Sequence, residues 1–130
     1  MARAYTIATA ALALRVSTKW LDNTLSHCSV QGVSQTRQGV SRKLSIEALT
    51  ILAVTLAFIN DLGMPAATAI EVATQLTRSG GRMALRESIT IELDIGRVTA
   101  ALLERLEHAV EIAPLPRRGR PPQKTTGRLD

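Results

Sequence analysis

A chain of 130 residues with a hydrophobic fraction of 45% is long enough for one packed domain and a short appendage, and too apolar to be disordered throughout. Its one cysteine, Cys28, excludes a disulfide framework and any multi-cysteine zinc site, and a reducing cytosol is the simplest compartment. The net charge of +5 hides a division: residues 1–45 carry six Lys and Arg against Asp22 alone, residues 46–113 have four more acids than bases, and residues 114–130 carry five bases against Asp130. Two separated basic segments suit a polyanion gripped at two points.

The first fourteen residues have the outline of a signal peptide, with Arg3 ahead of an apolar stretch. Thr6 and Thr9 interrupt the stretch, Arg15 follows it directly and no small-residue cleavage site is evident, so export is not expected. Within residues 5–25, Ile7, Ala10, Ala11 and Leu14 recur at helical spacing. The pattern breaks at Val16-Ser17, and Ser17 can cap a second helix that carries Lys19, Trp20, Leu21, Asp22, Asn23 and Leu25. Two short helices around a tight turn form either a helix-turn-helix, whose second helix enters a major groove, or an ordinary helical hairpin.

Residues 31–45 place β-branched residues on both sides of a Gly-containing turn, which predicts a small β-hairpin with a basic tip. Ser45 then caps a buried helix over about 46–60, with Glu47 at its positive end. The apolar run in that helix, interrupted by Thr50 and Thr55, is too short to span a bilayer. Gly63 suits its C-terminal cap, and Pro65 the start of a helix over about 65–77 that Gly80-Gly81 ends. Ile89, Ile91 and Leu93 alternate with polar residues as a half-buried strand does, and Met83 and Leu85 make a second hairpin possible. Asp94 can cap a last helix to about residue 112, with Val98, Leu102, Leu106, Ala109 and Val110 as its apolar stripe. Four of the five prolines lie from Pro114 onward and apolar periodicity stops there, so an extended, mobile tail is expected.

Tyr5-Thr6-Ile7, Ala10-Ala11, Leu14, Val16-Ser17, Leu21 and Leu25 resemble the opening of a MerR-type winged helix-turn-helix. The order that follows is similar too: Gly39-Val40-Ser41-Arg42 ahead of Leu44-Ser45, a long helix, then Leu62-Gly63-Met64-Pro65 opening another. The resemblance covers about residues 5–76. It departs at Arg15, where such turns usually carry Gly, which implies either a turn that differs in detail or an uncommon backbone conformation at Arg15. It departs again at Asp22 in the expected recognition helix, where an acid repels phosphate and can accept from cytosine N4. A second resemblance lies in the tail, where Pro116-Arg117-Arg118-Gly119-Arg120-Pro121-Pro122 looks like an AT-hook, a minor-groove reader. The bland alternative is a solubilising basic tail.

These resemblances imply a mainly α fold with small β-hairpins: a winged helix-turn-helix over 1–78, a strand and a dimerisation helix over 79–113, and a basic tail over 114–130. They imply that Ser17, Thr18, Lys19, Trp20 and Asn23 meet a major groove, that Arg37, Arg42 and Lys43 hold phosphates, and that Arg117, Arg118, Gly119 and Arg120 follow a minor groove. Core packing is the competing role for Trp20, and a solvated hairpin face for the three basic wing residues. Ile89, Ile91, Leu93, Val98, Leu102, Leu106 and Val110 are assigned to a homodimer, because a single strand needs a partner.

Neither a catalytic triad, nor a phosphate-cradling glycine loop, nor a convergent carboxylate pair is visible, so an enzyme is not expected, nor a cofactor or metal. His27 and Cys28 are adjacent and would point apart. With only Tyr5, Trp20 and Phe58 as aromatics, a stacking surface for single strands is disfavoured and duplex DNA is the expected partner. The leading expectation is a dimeric regulator of transcription, cytoplasmic and nucleoid-associated, without membrane contact. The alternatives are an antitoxin-like protein that grips a basic partner through the acidic segment 46–112 and autoregulates its operon, and an architectural nucleoid protein.

Overall fold

A computed structural model describes residues 3–35 and 41–112. It is mainly helical, with two small antiparallel sheets. In chain order the elements are β1 (Ala4–Thr6), α1 (Ile7–Leu14), α2 (Thr18–His27), β2 (Val33–Ser34), β3 (Lys43–Ser45), α3 (Ile46–Leu62), α4 (Ala66–Arg78), β4 (Arg82–Arg86), β5 (Ile89–Glu92) and α5 (Ile95–Ile112).

Side chains cap the helix starts. The Ser17, Ser45 and Asp94 side chains accept from the backbone N–H groups of Trp20 (3.0 Å), Ala48 (3.2 Å) and Arg97 (3.0 Å), opening α2, α3 and α5. Thr6, unexpected from the sequence, does the same for α1 by accepting from Thr9 N–H at 3.2 Å. Helix α1 closes on Arg15 in the left-handed region at φ 62°, one of the two outcomes implied by the missing turn glycine. Arg15 N–H reaches Leu12 O at 3.2 Å and Val16 N–H reaches Ala11 O at 3.0 Å, satisfying carbonyls that the helix end leaves open.

Helix α3 runs through the centre, with Ala48, Leu49, Ile51, Leu52, Val54 and Phe58 buried. Its threonines are accommodated because Thr50 and Thr55 return their hydroxyls to the carbonyls of Ile46 (2.8 Å) and Ile51 (2.7 Å). Helix α4 lies along α3 with Ala69, Ile70, Val72, Ala73 and Leu76 buried. On another side α3 meets α1 and α5, and α1, built largely from alanine and leucine, also meets α2 and β1. Strands β1 and β2 flank β3 antiparallel, with Leu44 of β3 fully buried opposite Tyr5 and Val33.

In the C-terminal half, the second hairpin that Met83 and Leu85 allow is formed, and the last helix packs on its own chain. Strand β5 does not wait for a second copy: it pairs antiparallel with β4, Met83 opposite Ile91, and Leu93 N–H donates to Gly81 O at 2.6 Å. A bulge between Ala84 and Arg86 breaks the alternation, so Met83, Ile91 and Leu93 rest on the core while Leu85 and Ile89 stand exposed. Helix α5, in turn, spends its apolar stripe inside its own chain. Leu102 and Leu106 are 0% and 1% exposed in the core that α5 shares with α1 and α3, and Val98 is half-buried there. The periodicity marked a buried face without telling which surface buries it. Of the residues assigned to a dimer, only Ile89 and Val110 remain exposed.

Candidate nucleic-acid interface

Helix α2 has a sharply divided surface. Leu21 is its one fully buried residue, Trp20, Thr24 and Leu25 are half-covered, and the rest are exposed, among them Thr18, Lys19, Asp22, Asn23 and Ser26. Those five positions follow helical spacing and make one continuous polar strip. The strip exists because the turn over residues 15–17 aims α2 so that Leu21 enters the core and the opposite side meets solvent.

The segment leading into β3 reaches this strip through one side chain. Arg42, immediately before β3, reaches α2 at two points: its Nη1 lies 3.5 Å from Asp22 Oδ1, and its Nη2 donates to Ser26 Oγ at 3.3 Å. Asp22 and Ser26 are one helical turn apart, so a single planar guanidinium spans both. Lys43 follows, exposed on the face of β3 opposite to buried Leu44.

The expected DNA-contacting residues are therefore distributed unevenly. Thr18, Lys19 and Asn23 share the polar strip. The Ser17 hydroxyl is occupied as the α2 cap. Trp20 is half-buried against the core, so its ring packs on the fold with one side open. Arg42 is tied back to α2 and is not a free cation. Arg37, and Arg117, Arg118, Gly119 and Arg120 of the tail, lie outside the described residues.

The partners of Arg42 went unread in the sequence. The available signal was Asp22 itself, the only acid in residues 1–45, with a hydroxyl four positions on. His27 turns back on its own helix, with Nδ1 2.8 Å from Asn23 O, and Cys28 is a half-buried free thiol. Among the described residues no group of three or more His, Cys, Asp or Glu side chains is placed to hold a metal ion. Among them, too, no helix is long and apolar enough to cross a membrane.

Comparison with known protein families, with curated proteins and with solved structures finds no match to this chain. The likeness to a winged helix-turn-helix therefore rests on the residues themselves.

Proposed function

We propose that the protein is a regulator of transcription that binds duplex DNA with a winged helix-turn-helix: α1 and α2 form the helix pair, and the β2–β3 pair forms the base of the wing. The observation that carries the reading is the exposed polar strip of α2, bridged by the Arg42 side chain to the start of β3. In this role Lys19 and Asn23 face base edges in the major groove, Thr18 meets phosphate at the helix start, and Lys43 meets the backbone alongside.

The tail adds a second contact. Helix α5 ends at Ile112, which lines the same cleft as Leu12 and Arg15 beside the α1–α2 turn. The last described residue of α5 thus lies beside the end of α1. Gly119 is seven residues further on, a reach of at most about 25 Å, which suffices for Arg118 and Arg120 to enter a neighbouring minor groove. A homodimer in this reading uses the exposed apolar residues left on α5, Leu103, Val110 and Ile112, and places two α2 helices about 34 Å apart on one DNA face.

The test is binding of a duplex enriched from a random library by the protein, against the unselected library, across a salt series. A regulator retains a preference of roughly 10³-fold or more, and its affinity falls steeply with salt. A preference near one, with binding retained, replaces the regulator by an architectural nucleoid protein. Failure to bind either duplex at low salt rejects both.

A further inference from the structure

We propose that Asp22 is a positioning residue that restrains Arg42 and thereby sets how strongly the protein discriminates between DNA sequences; this rests on the DNA-binding reading above. Asp22 is the single acid in the N-terminal 45 residues, and it sits on the strip of α2 that would face the polyanion. A carboxylate there opposes phosphate unless it has another task. It has one: with Ser26 it holds the Arg42 guanidinium at two nitrogens, 3.5 Å and 3.3 Å away.

A guanidinium has five N–H donors in a fixed plane. Two points of attachment restrain that plane against α2 and leave the remaining donors pointing away from Asp22 and Ser26. Held in this way, Arg42 takes a phosphate only where the duplex is seated on α2 in the matching register. A duplex gripped through its charge alone offers phosphates at other places, and Arg42 reaches them only by leaving Asp22. The bridge therefore penalises non-specific binding more than seated binding. The size of the penalty is bounded by the partial exposure of the pair, with side chains 24% exposed for Arg42 and 54% for Asp22. An ion pair of that kind is worth a factor of about two to five in an equilibrium constant.

The experiment compares wild type, Asp22→Asn, Ser26→Ala and Arg42→Gln, and the Asp22→Asn/Arg42→Gln double variant, on the enriched duplex and the unselected library by fluorescence anisotropy. Asp22→Asn is expected to raise affinity for the library about two- to fivefold more than for the enriched duplex, and to steepen the library's salt dependence by about 0.9 in log–log slope, one extra phosphate contact. Ser26→Ala, which removes a tether without changing charge, moves the preference in the same direction by a smaller factor. In the Arg42→Gln background the Asp22→Asn change leaves the preference unaltered.

An unchanged preference in both Asp22→Asn and Ser26→Ala overturns the assignment while leaving DNA binding standing, as does an Asp22→Asn effect that persists without Arg42. Failure of the wild type to bind either duplex overturns the DNA-binding reading and the assignment together. All the altered side chains lie at the surface or in partial contact with it, and circular dichroism melts confirm that each variant is folded before binding is measured.

Discussion

Replacing Gly32 by alanine should destabilise the fold by about 2–3 kcal/mol, although the residue lies in a loop and bears no side chain. Two costs combine. The backbone at Gly32 has φ 93°, and an L-residue in the left-handed half of the map costs about 1–2 kcal/mol. The added methyl would also run into Ser45 Oγ and come within 3.0 Å of Ala48 N, the two atoms that make the α3 cap. Displacing Ser45 Oγ forfeits that cap, about 1 kcal/mol more. The strand pair suffers as well, since Gly32 O accepts from Ser45 N–H at 2.9 Å. Urea denaturation followed by helical circular dichroism measures the total. Repeating it in a Ser45→Gly background, where no hydroxyl is left to meet, separates the terms: glycine is itself a tolerable cap, and the Gly32→Ala cost should fall by about 1 kcal/mol. A Gly32→Ala loss below about 0.5 kcal/mol, against the 1–2 kcal/mol assigned to backbone strain alone, or a loss identical in both backgrounds, would refute the reasoning.

Other substitutions probe the remaining joints. Arg15→Gly should stabilise the chain by about 0.5–1 kcal/mol, because glycine takes φ 62° without the steric cost, partly offset by its greater freedom when unfolded; a loss of stability on urea denaturation would show that the Arg15 side chain matters more than its backbone. Leu102→Ala should cost about 2–5 kcal/mol, as a fully buried leucine does, by the same amount at every protein concentration. A midpoint that shifts with concentration in the wild type and ceases to do so in Leu102→Ala would return that residue to an interface between copies.

What the sequence disclosed was local. Ser17, Ser45 and Asp94 act as caps within three residues of the groups they bind, and a single turn of chain contains both partners. The buried α3 and its Gly63 terminus were legible for the same reason, since an apolar run and a residue at φ 68° need no distant information. Pairings across the chain were not legible. Strand β1 has three residues, too few for any periodicity, and exists because β3 lies beside it 39 residues on, with Tyr5 opposite Leu44. The stripe of α5 was read correctly as a stripe, but spacing alone does not distinguish a helix that covers its own chain from one that covers a partner. The resemblance implies a phosphate contact for Arg42 but carries no sign of the carboxylate that holds it, twenty residues earlier on another element.

The link between the first and last of the helices sets a schedule for synthesis. Arg105 on α5 donates from Nε to the carbonyl of Ala13 on α1 at 2.8 Å, across 92 residues of chain. Helices of eight and ten residues such as α1 and α2 do not persist alone in water. At ribosomal rates, roughly 5–18 s pass between the two partners of that bond. During that interval the side of α1 that α5 covers stays open, while its contacts with α2, β1, β3 and α3 can already form. A chain cut short before α5 would lose the Arg105 bond to Ala13 and leave the α5-facing side of α1 open to solvent.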